Sequence, residues 1–378
     1  EALSHFQLGS INIRQGSIQE ALPNFQNGMQ IAKNTQNKFL SAEGNYHLSR
    51  YHEGNRDFRK ALDHLEQSLI NYKQLDKVKN VGYCHTSFGR IYQELGNYEK
   101  AMTHYFESLR ISESLNNLRG ISVVKTNIAY VLMLTKKYGD AITYFSDALK
   151  LDSINKDEEG KFINLLNLGT TYQKMGNYQK ALENFYSSME IAKRMNYNQD
   201  IAILYGNIGS TFSAMERYEE ALDNLLLALG MKKEHNFNPS HTLNDVSNTY
   251  LQLKKFTEAK KYAGLALEAS KQNNDLEQLR YAYLNISKAS KYNKDYKTAF
   301  ETLELHNKIK DSIFDIEKEK QMSNLQIDYE TEKKGTGNHV AFPTKKYGRI
   351  PTEHLFDIGN IMYFTPVAAL QQPKDKKP

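Results

Sequence analysis

Alanine recurs at a fixed step along this chain. Ala21, Ala61, Ala101, Ala141, Ala181 and Ala221 stand 40 residues apart, and Ala259 and Ala299 follow after steps of 38 and 40. Each opens an Ala-Leu-like pair in the same local frame, clearest in Gly176-Asn177-Tyr178-Gln179-Lys180-Ala181-Leu182-Glu183-Asn184-Phe185. Self-similarity at such a period means stacked supersecondary units, none of which can bury its apolar face alone. The 378 residues therefore need not divide into two or three globular domains, because each unit packs only on its neighbours. An array of this kind offers surface rather than chemistry.

With the alanine set at position 20 of each unit, the other positions align. Position 8 is Gly9, Gly89, Gly169 and Gly209, with Ser or Ala in the remaining repeats. Position 17 is Ile18, Phe58, Tyr98, Tyr138, Tyr178, Tyr218, Phe256 and Tyr296. Position 24 is Phe25, Leu65, Tyr105, Phe145, Phe185 and Leu225, then Ala263 and Leu303. Position 15 is Gly16, Gly96 or Gly176 in three repeats, which marks a turn between two helices. Positions 4, 7, 8 and 11, and then 20, 24 and 27, recur at three- and four-residue spacing, the signature of a helical hairpin. Small residues at 8 and 20 let the two axes approach, and the large residues at 17 and 24 fill the space beside them. A bulky replacement of Ala181 should overpack that crossing at a cost of about 1–3 kcal/mol.

The spacing Leu168-Gly169, Tyr172, Gly176, Tyr178, Ala181 and Phe185 resembles the tetratricopeptide repeat family. The resemblance covers about residues 1–308 and departs from the family in length, 40 residues per unit rather than the usual 34. It implies an all-α solenoid, a right-handed superhelix of about eight hairpins that binds peptides or partner proteins on its concave side. Repeats one, seven and eight are the most degenerate. Pro23 falls inside a predicted helix and should kink repeat one.

Several function classes are excluded by composition and motif. Net charge is +5, yet residues 333–378 hold eight Lys/Arg against three Asp/Glu, leaving 41 of each sign in residues 1–332. The repeats thus carry no basic field and are not expected to bind nucleic acid. A single cysteine, Cys84, forbids an intrachain disulfide or a thiolate metal cluster and reads as a buried structural thiol. The histidines show no metal-ligand spacing, and a metal shared by His47, His52 and His64 is not expected. Gly335-Thr336-Gly337 is too short to cradle phosphate, and no Gly-x-Ser-x-Gly elbow is present. No catalytic set, cofactor or metal is therefore assigned. No stretch is long and apolar enough to span a membrane. The first residues already read as repeat, so no signal peptide is expected among them. Low cysteine use fits a bacterial cytoplasm, with the periplasm as the alternative if an upstream signal was removed.

Towards the C-terminus the repeat fades into one charged helix, 309–334, with Ile309, Ile313, Ile316, Met322, Leu325 and Tyr329 partly heptad-like. It reads either as a cap closing the last repeat or as a connector helix or short coiled coil leading to an effector, with self-association through 309–334 as a further expectation. Tyr329-Glu330-Thr331-Glu332-Lys333-Lys334 resembles the juncture after the repeats in bacterial repeat-containing sensor kinases and transcription regulators. Residues 335–378 form a basic tail with five of the seven prolines, in which His339–Pro343 and Ile358–Phe364 read as short strands. From His339 to Phe364 the tail resembles the opening strands of a LytTR-type DNA-binding domain, which would make it a partial output domain. An irregular arm is the alternative.

Binding candidates come from the stripe at positions 2, 6, 9 and 13, which in the family lines the concave surface. Position 6 carries Asn127, Asn167, Asn207 and Asn285, and an asparagine amide both donates to and accepts from a peptide backbone. Position 9 includes Arg50, Arg90 and Tyr130, and the two arginines suit an acidic partner. Family members that clamp C-terminal carboxylates have Lys at position 2, whereas this chain has Glu43, Tyr83, Val123, Ile163, Ile203, His241 and Tyr281. An apolar or aromatic ligand face follows instead. The function expected is a non-catalytic peptide- or protein-binding module, serving as the sensory or regulatory part of a bacterial signalling protein. The alternatives are the repeat region of a transcription regulator with a truncated LytTR-type domain, and a general assembly scaffold.

Overall fold

Residues 1–14 and 17–335 are described by a computed structural model, with the side chains of Arg14, Ile18, Lys320 and residues 328–335 outside that description. The segments 339–343 and 358–364, and with them the LytTR-like stretch, lie outside the described residues. Among the described residues the chain is all helix, 16 helices arranged as consecutive hairpins. Helices α1 (Ala2–Arg14) and α2 (Ile18–Asn34) form hairpin one, α3 (Lys38–Gly54) and α4 (Phe58–Gln74) hairpin two, α5 (Val78–Glu94) and α6 (Tyr98–Ser114) hairpin three. Then come α7 (Leu118–Leu134) and α8 (Tyr138–Asn155), α9 (Glu158–Lys174) and α10 (Tyr178–Arg194), α11 (Asn198–Ala214) and α12 (Tyr218–Glu234). The last are α13 (Ser240–Gln252) and α14 (Phe256–Gln272), followed by α15 (Leu276–Tyr292) and α16 (Tyr296–Gly335). Hairpins in this order are the all-α solenoid that the 40-residue period requires.

The period has a finer cause. Most helices are 17 residues long, and a left-handed residue stands in each described turn from α2 on. Gln36, Arg56, Asp76, Gly96, Asn116, Lys136, Lys156, Gly176, Asn196, Glu216 and Asn236 all have positive φ, 20 residues apart. Each turn reverses the chain through one αL residue, and many of the following helices start on an Asx cap. Asn37, Asp57, Asn117, Asp157, Asn177 and Asp275 each accept from the backbone N–H three residues on, satisfying a donor the helix leaves orphaned. The 38-residue step has a local origin. Pro239 delays the start of α13, which keeps only 13 residues, and Asn238 Oδ1 accepts from Ser240 N at 3.0 Å.

The marked alanines are the centre of the packing. Seven of the eight are 0 % exposed, and Ala299 is 8 % exposed. Phe25, Leu65, Tyr105, Phe145, Phe185 and Leu225 at position 24 are also fully buried, each contributing about 1.5–3 kcal/mol relative to an exposed side chain. A Cβ added at Gly9, Gly89 or Gly169 would lie 2.4, 2.4 or 2.5 Å from the ring at position 24 of its own hairpin. Serine at position 8 makes a polar version of the same crossing: Ser247 and Ser287 donate to the carbonyls of Ala259 and Ala299 at 2.8 and 2.7 Å. At position 27, Ser68, Ser108 and Ser188 donate across the hairpin to the carbonyls of Ala42, Gly82 and Phe162. Position 4 proves a polar crossing as often as an apolar one, occupied by buried Asn45 and His85 as well as Leu243. Helix α2 runs through Pro23 without a break, and Ala21 and Phe25 on either side stay fully buried.

Two compact units make up the chain. Among the described residues, one comprises Glu1–Ile111 with 320–335, and the other Ser112–Glu319. In the second unit the first helices of successive hairpins touch: α7 with α9, α9 with α11, α11 with α13 and α13 with α15. The second helices α8, α10, α12 and α14 make no comparable approach to one another. Helices that converge line the inner side of a curved stack, so the first helices face inward in this unit. No turn separates residues 309–334 from hairpin eight. They continue its second helix, and Phe300 and Leu303 at positions 21 and 24 remain 63 % and 41 % exposed rather than covered by a cap.

Candidate functional site

Asn127, Asn167 and Asn207 occupy equivalent places on α7, α9 and α11, one per repeat, and all are half-buried. Thr171 and Thr211 hydroxyls donate at 2.7 Å to the backbone carbonyls of Asn167 and Asn207. The side-chain amides of the three asparagines make no hydrogen bond among the described residues. The neighbouring position 2 presents Val123, 49 % exposed, with Ile163 and Ile203 half-buried. Tyr130, half-buried on α7, lies one turn beyond Asn127. These residues form a row of two-way amides edged by aliphatic side chains on the inner helices of the second unit.

Asn285 belongs to the same sequence position but not to the same surface. It is 5 % exposed, and its Nδ2 donates to the backbone carbonyl of Asn244 at 3.2 Å. Asn244 in turn donates to the carbonyl and side-chain oxygens of Gln278 at 2.9 and 3.0 Å. Asn285 therefore ties hairpin eight to hairpin seven.

Repeat seven carries an acid where the neighbouring repeats carry asparagine. Asp245 stands at position 6, where its Oδ2 accepts from Ser210 Oγ at 3.2 Å and lies 3.1 Å from His241 Nδ1. Burial opposes charge on His241, but the Asp245 carboxylate outweighs it and raises the imidazole's affinity for a proton. The place of Asp245 at position 6 is legible in the same repeat alignment that marks the asparagines.

The remaining candidates lie in the first unit. Arg90 is held by Glu53, with Nε to Oε1 at 2.8 Å and a second guanidinium nitrogen to Oε2 at 2.5 Å. That bidentate pair joins α5 to α3 and occupies the fork that an acidic partner would need. Arg50, one repeat earlier, is exposed. Tyr83 is 42 % exposed, and Lys79 Nζ sits 5.8 Å from the centre of its ring. Cys84 is fully buried beside Ser68, and burial pushes its thiol up to about 12, away from reactivity. No group of three or more His, Cys, Asp or Glu among the described residues is arranged to hold a metal ion. No helix among them is long and apolar enough to cross a membrane.

Two buried carboxyls complete the polar interior. Asp152, 2 % exposed, accepts from the Ser122 hydroxyl and from Asn164 Nδ2 at 2.7 Å, and a Cβ on Gly160 would collide with it at 2.6 Å. Asp200 in the first turn of α11 is 9 % exposed, and burial raises its carboxyl to about 6.

Comparison with known proteins agrees with this geometry. Family models described as tetratricopeptide repeat match residues 120–194 and 161–234, and 84–115 and 240–273. No curated protein sequence matches the chain. Among solved structures, a Rap protein complexed with Competence and Sporulation Factor is similar over 90 % of this chain and 99 % of its own, with 16 % identity and a TM-score of 0.58. The apo form of RapI shows 17 % identity and a TM-score of 0.56 over 72 % of this chain and 99 % of that one. A STAND protein with a tetratricopeptide repeat sensor, PH0952 from Pyrococcus horikoshii, gives 16 % identity and a TM-score of 0.65. That match covers 86 % of this chain and 50 % of the STAND protein. At such identities the likeness is one of fold. Repeat frame, hairpin packing and the family matches agree that this chain carries tetratricopeptide repeats, matched over residues 84–115, 120–234 and 240–273.

Proposed function

We propose that the second unit holds an extended peptide, or an extended segment of a partner protein, along the row Asn127, Asn167 and Asn207. The observation that carries this reading is three half-buried amides, one repeat apart, with no hydrogen bond of their own. Helices that touch lie roughly 8–10 Å apart, about three residues of extended chain at about 3.3 Å each. Each amide would then grip the ligand backbone at every third residue, and Val123, Ile163 and Ile203 would favour apolar side chains between. The solved complex of a Rap protein with Competence and Sporulation Factor supports a ligand-binding reading for this type of array. The repeat sensor of the STAND protein supports a sensory one.

In this reading residues 1–308 form the binding array of a bacterial signalling protein, 309–334 the helix that passes the signal on, and 335–378 part of an output domain. The chain acts by binding and not by catalysis, in the cytoplasm, and a leader upstream would move it to the periplasm. The test is selection of ligands from a displayed library of random decapeptides, followed by titration of the selected peptide. Asn167→Ala with Asn207→Ala should weaken binding about 5- to 150-fold, the loss of two hydrogen bonds of about 0.5–1.5 kcal/mol each. The melting temperature should stay unchanged. Equal affinity in the double variant, or early unfolding, would refute the proposal.

A further inference from the structure

Six of the chain's eleven histidines, His5, His47, His52, His64, His85 and His104, lie within hairpins one to three. Two contacts join them ring to ring. His85 Nδ1 and His104 Nδ1 face each other at 3.0 Å, bridging α5 and α6. His52 and His64 stack at 5.4 Å with planes 5° apart, bridging α3 and α4. The first contact needs one N–H and one bare nitrogen, so a second proton would set two N–H groups against each other. The second would place two cations face to face. His47 is confined differently, stacked at 5.7 Å on both Phe6 and Phe25, two fully buried rings.

The charges around these rings do little to welcome a proton. Lys73, Lys100 and Arg110 face the His85–His104 pair, against Glu107 alone. At the His52–His64 stack, Asp57, 3.9 Å from His52 Nδ1, and Asp63 stand against Lys60, so there it is burial and not charge that opposes a proton. Arg50 acts on His47, with Glu43 at 3.9 Å. Phe88 and Tyr92 cover His104 at 4.8 and 5.5 Å, closing it to water.

The same crossing in the second unit is built without histidine. Positions 4 and 23 carry Lys125 and Tyr144, Leu165 and Asn184, and Tyr205 and Asn224 in hairpins four to six. There, Lys125 pairs with Asp147 at 2.9 Å. His241 in that unit sits against Asp245, a contact that welcomes a proton.

We propose that the first unit is an acid-sensitive half of the protein, whose hairpins loosen when the His85–His104 and His52–His64 pairs are protonated while the second unit holds. Burial drives the direction: it lowers His47 and His85 from 6.5 to about 4 and His104 to about 3, and it lowers His52 and His64 as well. Groups whose folded affinity for a proton is depressed stabilise the fold above pH 6.5 and cease to do so as pH falls towards 4. Each histidine lowered this far multiplies the unfolded-to-folded ratio by about 20 between pH 7 and pH 5.

Hydrogen exchange of the whole chain, read by mass spectrometry from pH 7.5 to pH 5 and corrected for intrinsic rates, tests this. Protection in α3–α5 should fall by about 20-fold or more, and in α9–α15 by less than about threefold. The variant His85→Leu/His104→Asn installs the Leu165/Asn184 pair of hairpin five and should retain protection at pH 5. A second variant, His52→Asn/His64→Asn, installs the Asn12 and Asn24 of hairpin one and should act the same way. Equal loss in both units would overturn the proposal, as would folded variants that keep the original pH dependence. If both variants misfold, the contrast between units in the unaltered chain decides alone.

Discussion

The ring of Phe185 lies so close over Gly169 that a methyl group on the glycine would meet its Cδ1 at 2.5 Å. This is the crossing that sets the distance between α9 and α10, and its members are positions 8 and 24 of the repeat. Gly169→Ala should therefore destabilise the protein by about 1–3 kcal/mol, the cost of overpacking. Repeat four, where Ala129 sits opposite Phe145, points to the lower end. Gly230→Ala is the control. Nothing lies within 4 Å of a Cβ there, and a better helix former should add about 0.5–1 kcal/mol. Urea unfolding of the two variants should show opposite signs.

The turns invite the reverse exchange. Glu216 holds φ at 61°, where Gly176 in the preceding repeat holds 78°. A side chain in the left-handed region costs about 1–2 kcal/mol, and glycine loses part of that advantage through its freer unfolded chain. Glu216→Gly should raise stability by about 0.5–1 kcal/mol, and Gly176→Ala should lower it by about 1 kcal/mol. Thermal melts would show the pair.

Asp200 should work against folding at neutral pH. Burial raises its carboxyl from 3.8 to about 6, so the folded state binds a proton between those values that the unfolded state does not. Its cost is therefore full above pH 6 and disappears as pH falls towards 4. Asp200→Asn should stabilise the protein by about 1–3 kcal/mol at pH 7 to 8. The gain should shrink to nothing near pH 4, and a gain that persisted at pH 4 would assign the effect to packing.

Asn285 and Arg90 should report on stability and leave ligand binding alone. Asn285→Ala removes the donor to the Asn244 carbonyl inside the stack, at about 1–3 kcal/mol. Arg90→Met leaves Glu53 half-buried without its partner, which should cost about 1–3 kcal/mol. Arg50→Met, on an exposed side chain, should change the melt by less than about 0.5 kcal/mol. Affinity for the ligand selected with the unaltered chain should be the same in all three.

The fold was legible because its period repeats one packing problem eight times. Any single Ala or Gly is ambiguous, but Ala181 in register with Gly169 and Phe185 describes a close crossing. The 20-residue half-period was hidden. Its left-handed turn residues are Gln, Arg, Asp, Lys, Asn and Glu as well as Gly, so only Gly96 and Gly176 announced themselves. The site was legible in part. Position 6 pointed to the inner face, yet the same residue type does different work there. Asn127, Asn167 and Asn207 keep their amides open, whereas Asn285 is drawn into a bond with Asn244.

The order of residues by itself determined the repeat, the hairpin, the inward alanines and the lack of a general charge on the array, because each follows from local spacing. Partners between repeats were decided only by the tertiary structure: Arg90 with Glu53, Ser210 with Asp245, and Asn285 with the Asn244 backbone. Pairings of this kind join residues 35 to 41 positions apart. Their distances depend on how one hairpin is set against the next, which no local pattern encodes.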